Sequence, residues 1–176
     1  KLKRIVRYLI GVPEARCVQR CQAVPSRIVV STDSDWAGDK VSRKSTSAGC
    51  LMRGSHCIKT WAKRQQVIAL SSAEAELYAG LRTASEGLGV QSLIHDMGGQ
   101  IEVEVWIDSS SALALSHKTG LGRAKHIQIQ HPWIQAAVKQ GRIRMKKVPG
   151  EHNCADRTKK DLSAERMTYL MNLKWY

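Results

Sequence analysis

RIVVSTDSDWAGDKVSRKSTSAGCLMRGSHCIKTWA, residues 27–62, decides the fold. Arg27 to Thr32 is short, β-branched and apolar, and it runs into Asp33 and Asp35. That composition predicts a buried strand delivering a carboxylate at its end. Ala37 to Lys44 is a polar turn region, and Thr46 to Arg53 and His56 to Ala62 flank Gly54-Ser55, a two-residue hairpin signal. Three antiparallel strands in succession follow.

Downstream, Ser71 and Ser72 are good helix caps, and Ala73, Leu77, Gly80, Leu81, Ala84 and Leu88 keep helical spacing until Gly98-Gly99. One long helix is expected over the sheet, with Gly87 to Gly89 marking a potential break. Ile101 to Ile107 alternates like a strand and exits through Asp108 and three serines into a helix over Ala112 to His117. Lys125 to Gln140 reads as helical and Arg142 to Val148 as a last strand, so the order is β-β-β-α-β-α-α-β. Beyond Pro149-Gly150, a helix is expected from Asn153 onward and another over Met167 to Leu173. Upstream, Leu2, Ile5, Val6 and Leu9 form one helical stripe stopped by Gly11 and Pro13, and the stretch to Ser26 reads as a linker.

Lys and Arg number 28 against 15 Asp and Glu, a formal charge of +13 in 176 residues, which favours a polyanionic partner such as nucleic acid. No run approaches the roughly 20 apolar residues that cross a bilayer, and the N-terminus lacks a leader pattern, so neither a membrane role nor secretion is expected. Five scattered cysteines lack the spacing of a zinc or disulfide framework and read as reduced thiols. A start at Lys1 suggests a piece of something longer.

Against this basic background, Asp33, Glu76, Asp108 and Asp156 stand at element ends or on the long helix. If they converge, their repulsion must be relieved by shifted pKa values or by cations. Oxygen-only ligands suit Mg²⁺ or Mn²⁺, and a pair of such ions can carry phosphodiester hydrolysis. The helix wheel does not choose between Glu74 and Glu76, because they flank the apolar stripe on opposite sides.

STDSDWAGD, RKSTSAG, SSAEAELYAG, WIDSSSAL and NCAD, in this order between about Arg27 and Lys160, resemble the ribonuclease H region of copia-type retrotransposon Pol polyproteins. The resemblance implies an α/β ribonuclease H-like fold: a mixed five-stranded sheet, three antiparallel strands then two parallel, flanked by helices. It implies Asp33, Glu76, Asp108 and Asp156 as catalytic ligands of two Mg²⁺ or Mn²⁺ ions, with Asp35 and Glu74 as bystanders. It further implies cutting of the RNA strand of RNA/DNA hybrids, with His152 as an accessory catalytic group. Substrate contacts would come from Arg43, Lys44, Ser45, Thr46, Ser71, Ser72 and Ser109, with Lys40, Lys63, Arg64, Lys146 and Lys147 facing phosphates.

The first helix resembles the segment that follows the reverse transcriptase in such polyproteins. Residues 1–26 are therefore expected as a tether from a fused or associated reverse transcriptase, 27–162 as the ribonuclease H domain and 163–176 as a helical tail. The implied setting is a retrotransposon particle in the cytoplasm, or the nucleus. Gln128, where relatives usually carry an acid, and the Arg157-Thr158-Lys159 stretch depart from the pattern. They leave a second reading open, a decayed or host-adopted module that binds or scaffolds without cutting.

Overall fold

A computed structural model of the chain describes residues 2–11, 13–14, 19–117, 130–156, 163, 165–166 and 169. Cys17, Gln128, Arg157 to Lys159 and most of both helices expected after Asn153 lie outside the described residues.

The strands are β1 (Arg27–Asp35), β2 (Thr46–Arg53), β3 (His56–Arg64), β4 (Glu102–Ile107) and β5 (Arg144–Lys147). They form one sheet in the order β3-β2-β1-β4-β5. β1 pairs β2 and β2 pairs β3 antiparallel, whereas β1–β4 and β4–β5 are parallel. This is the expected mixed sheet. Arg53 pairs with His56 across Gly54-Ser55, and Gly54 has a φ of 59°, a left-handed conformation that favours glycine.

β1 is the central strand, buried at every position between its two ends, which suits its β-branched composition. One face of the sheet is covered by α2 (Ser72–Asp96), α3 (Ser110–His117) and α4 (Gln130–Lys139). Ile28, Val30, Leu77, Leu81, Val105, Ile107 and Ile134 form the core between these layers. A smaller cluster, Cys50, Met52 and Cys154, joins β2 to the segment following β5. Cys50 and Cys57 are reduced thiols with their Sγ atoms 3.7 Å apart.

α2 is continuous through Gly87, so the expected break does not occur. A Cβ on Gly87 would lie 2.7 Å from Val103 Cγ1 and 3.1 Å from Val30 Cγ2. The glycine lets the helix backbone approach the sheet, and packing outweighs the roughly 1 kcal/mol that glycine costs in a helix. Gly87→Ala is therefore expected to destabilise the fold by about 1–3 kcal/mol in urea unfolding, despite its better helix propensity. A gain in stability would contradict this close approach.

β5 is shorter than the expected Arg142 to Val148: Ile143 and Val148 flank it as buried residues, and Val148 N still donates to the Ile107 carbonyl at 3.0 Å. Part of the expected linker is pinned: Gln22 donates to the Arg53 carbonyl at 2.9 Å and accepts from Ser55 N at 2.9 Å. α1 (Leu2–Gly11) has Leu2, Ile5, Val6 and Leu9 all more than half exposed.

Candidate active site

The parallel ladder of β1 and β4 pairs Val30 with Val105 and Ser31 with Trp106. Two further residues along each strand bring Asp33 level with Asp108, just past the end of β4. The third acid comes from the start of α2, where the helix cap resolves the ambiguity between Glu74 and Glu76. Ser71 Oγ accepts from Glu74 N at 3.2 Å, and Glu74 Oε2 accepts from Leu70 N at 2.8 Å. This reciprocal arrangement, close to a capping box, commits the buried Glu74 to the helix start. Glu76 instead faces β1, its Oε1 accepting from Ser34 N at 3.1 Å and Ser34 Oγ at 2.9 Å. As a result Asp33, Glu76 and Asp108 each place one carboxylate oxygen within 4.8 Å of the others.

This crowding has an electrostatic signature. Burial, and then the charges of Asp33 and Asp108, push the Glu76 carboxyl up to about 7, against a smaller opposing effect of the Ser34 hydrogen bonds. Glu76 Oε2 is buried with no hydrogen-bond partner among the described residues. An all-oxygen, negatively charged cluster with such an oxygen fits a hard divalent cation.

Asp156 is 8% exposed and lies outside this group of three. Two ions roughly 3.5–4 Å apart, each about 2.1 Å from its oxygens, spread the outermost ligands of a two-metal site to about 8 Å. A fourth ligand is therefore not required within the tight cluster. Asp156 is held by its neighbour Asn153, which is fully buried and donates from Nδ2 to the Thr32 carbonyl at 2.8 Å, one residue before Asp33.

Asp35 serves the loop instead, accepting from Thr46 N. Ser45 is fully buried and its Oγ accepts from Ala37 N at 3.0 Å, so its hydroxyl fastens the β1–β2 loop and does not face solvent. Arg43, at a φ of 56°, is exposed on that loop, and Lys44 is partly exposed. Ser71 and Ser72 are exposed at the start of α2, and Ser109 Oγ accepts from Ala112 N at 3.2 Å. Lys40 and Lys63 are exposed, whereas Arg64 pairs with Asp39 at 3.1 Å, Lys146 lies 5.4 Å from the Trp106 ring and Lys147 donates to Ser110 Oγ. His152 sits on a 3₁₀ turn (Gly150–His152) beside the acids, and a Cβ on Gly150 would be 3.6 Å from Asp108 Oδ2.

Ser34 and Asn153 carry no sequence signal of their own beyond adjacency to Asp33 and Asp156 within the motifs. Trp36 is a further feature of the rim. It is 51% exposed, and its indole N–H donates to the Ala69 carbonyl at 3.1 Å, next to Ile68 and Leu70, which are 53% and 66% exposed.

No protein-family profile matches the chain. It is 33% identical over 165 residues to the retrovirus-related Pol polyprotein from transposon RE1 of Arabidopsis thaliana, covering 92% of this chain and 11% of that protein. The Pol polyprotein from transposon TNT 1-94 of Nicotiana tabacum is 33% identical over 127 residues, covering 71% of this chain and 10% of that protein. The chain is homologous to copia-type retrotransposon Pol polyproteins. This Pol-related chain spans about a tenth of the length of those relatives.

Among solved structures, LC11-RNase H1 in complex with an RNA/DNA hybrid superposes at a TM-score of 0.50 and 18% identity, covering 72% of this chain and 88% of that one. The native prototype foamy virus protease-reverse transcriptase gives a TM-score of 0.51 at 14% identity, covering 86% of this chain and 21% of that one. The Pol-related chain thus has the ribonuclease H fold. Among its described residues, no helix is long and apolar enough to cross a membrane.

Proposed function

We infer that this chain is a ribonuclease H that hydrolyses the RNA strand of RNA/DNA hybrids during reverse transcription of a copia-type element. The observation carrying this reading is the convergence of Asp33, Glu76 and Asp108 in a chain of net charge +13. An acidic pocket on a cationic protein suits a cation-dependent reaction on a polyanion.

Asp33, Glu76 and Asp108, with Asp156, would hold two Mg²⁺ or Mn²⁺ ions. When bound, such ions activate water and stabilise the leaving oxygen of a phosphodiester. Ser34 orients Glu76 by two hydrogen bonds, and Asn153 ties the Asp156 segment to β1. Lys40, Arg43, Lys44 and Lys63 supply positive charge for the nucleic-acid backbone, which makes binding weaken with salt. Ser71, Ser72, Ser109 and Thr46 are the small polar groups for sensing 2′-hydroxyls in a minor groove. The RNA/DNA hybrid held by LC11-RNase H1 supports that substrate.

The exposed apolar stripe of α1 supports its reading as a tether to an upstream reverse transcriptase, and the fold's likeness to about a fifth of the foamy virus protease-reverse transcriptase agrees with such a partner. Residues 27–162 then form the nuclease, working in the retroelement particle or the nucleus.

The test is to incubate the chain with end-labelled RNA/DNA hybrid, double-stranded RNA and double-stranded DNA, with Mg²⁺ or with EDTA. Cleavage only of the hybrid's RNA, and only with Mg²⁺, is expected. Hybrid binding without cleavage would overturn the nuclease reading in favour of a scaffold, and cutting of DNA would overturn the substrate assignment.

A further inference from the structure

The Gly150–His152 turn is short, has no buried residue and adjoins the acidic pocket on one side. Its own backbone supplies two hydrogen bonds, His152 N to the Pro149 carbonyl at 2.9 Å and Asn153 N to the Gly150 carbonyl at 3.1 Å. An isolated exposed turn of this length opens easily. Its outer side, however, is gripped by residues from the C-terminal segment. Arg166 Nη2 donates to the Glu151 carbonyl and reaches the Gly150 carbonyl at 3.5 Å. The same guanidinium lies 5.2 Å from the centre of the Tyr169 ring. Tyr169 Oη is hydrogen-bonded to His152 Nδ1 at 2.9 Å, and Arg166 N donates to Ser163 Oγ at 3.2 Å.

The inner side of the turn meets the acids at two points. Gly150 lies against Asp108: the Cβ it lacks would contact Asp108 Oδ2 at 3.6 Å. The chain then passes through buried Asn153, hydrogen-bonded to the Thr32 carbonyl, to Asp156. The turn is therefore a short bridge between the C-terminal segment and two of the four acids.

The geometry points to Arg166 and Tyr169 as positioning residues of the acidic site, clamping the Gly150–His152 turn against Asp108 and the Asp156 segment. One guanidinium nitrogen, Nη2, reaches both carbonyls while the charged group lies over the Tyr169 ring, and the broad, delocalised guanidinium suits that double contact better than the compact ammonium of lysine. Arg166 and Tyr169 then belong to the working site. This inference deepens the nuclease reading and rests on it for its functional consequence, but the clamp itself is measurable without metal or substrate.

The experiment compares the full chain with Arg166→Ala, Arg166→Lys and Tyr169→Phe. It records amide hydrogen exchange at residues 150–153 and the carbon-13 resonance of the Asp108 carboxyl, with thermal unfolding as the folding control. Arg166→Ala and Arg166→Lys are expected to speed exchange at the turn by about tenfold and to move the Asp108 resonance, with global unfolding little changed. Tyr169→Phe should move the His152 Nδ1 resonance and loosen the turn less. Unchanged exchange, or an Asp108 resonance that stays fixed while the turn loosens, would overturn the proposal. Mn²⁺ binding to the parent chain, measured by calorimetry, reports separately on the nuclease reading. A parent that binds no Mn²⁺ sinks that reading, while exchange and the Asp108 resonance still decide the clamp.

Discussion

Asp108→Asn or Asp33→Asn is expected to lower Mg²⁺-dependent cleavage of hybrid RNA by on the order of 10³-fold or more, equivalent to about 4 kcal/mol of transition-state stabilisation. Each substitution preserves volume but removes a negative charge from a pocket whose oxygens lie within 4.8 Å of one another. Hybrid binding in EDTA should stay within a few-fold of the parent, because the proposed phosphate contacts come from the basic surface outside the cluster. The check is single-turnover cleavage beside a filter-binding titration. Wild-type cleavage by either variant would remove these residues from the site. Binding lost in parallel with cleavage would mean that the substitution had disturbed the fold.

Glu76 titrates at about 7 in the folded chain against an ordinary 4.5. A carboxyl whose folded pKa is raised contributes stability that is fully present below about 4.5 and lost as pH rises through about 7. The metal-free chain should therefore lose roughly 3 kcal/mol of stability over that window, because each tenfold difference in proton affinity between folded and unfolded chain is worth about 1.4 kcal/mol. A divalent cation favours the ionised carboxylate and reverses the penalty. Added Mg²⁺ or Mn²⁺ is expected to raise Tm by several degrees at pH 8, on the scale of about 2–4 °C per kcal/mol, and by little at pH 5.

Glu76→Gln should be more stable than the parent in EDTA at pH 8, because it relieves the repulsion among Asp33, Glu76 and Asp108. It should also lose most of the metal-dependent rise. Differential scanning fluorimetry across pH, with metal and with EDTA, reads both effects. A parent whose Tm ignores Mg²⁺ at pH 8, or a Glu76→Gln variant that is less stable in EDTA, would contradict the account.

The sheet was legible because its signals are local. The β-branched run before Asp33, the Gly54-Ser55 turn and the alternation before Asp108 specify strands and a hairpin without tertiary information. Convergence of the acids was legible only in outline, since it depends on the parallel pairing of β1 with β4, which no local pattern encodes. The choice of Glu76 over Glu74 was beyond periodicity, because two residues of separation leave both candidates beside the same stripe. The reciprocal hydrogen bonds of Ser71 and Glu74 hold Glu74 at the helix start, and the two bonds from Ser34 place Glu76 beside Asp33 and Asp108.

Gly87 misled for a related reason. Glycine signals either a break or a close approach, and only the neighbouring Val30 and Val103 methyls decide between them. Ser45 shows the same ambiguity for hydroxyls: a serine before a strand can greet a ligand or fasten its own loop, and here it bonds Ala37 N. Arg166 and Tyr169 gave no sequence signal, because their role comes from contacts with a turn more than ten residues earlier in the chain.

On the proposed function, Asp33, Glu76 and Asp108 jointly hold a divalent ion. Anomalous scattering from crystals of the chain soaked in Mn²⁺ locates such an ion. A Mn²⁺ peak is expected at about 2.0–2.2 Å from a carboxylate oxygen of each of the three, with a second peak on the Asp156 side at higher Mn²⁺. A well-ordered pocket with no peak, or Mn²⁺ bound only elsewhere, would contradict that function.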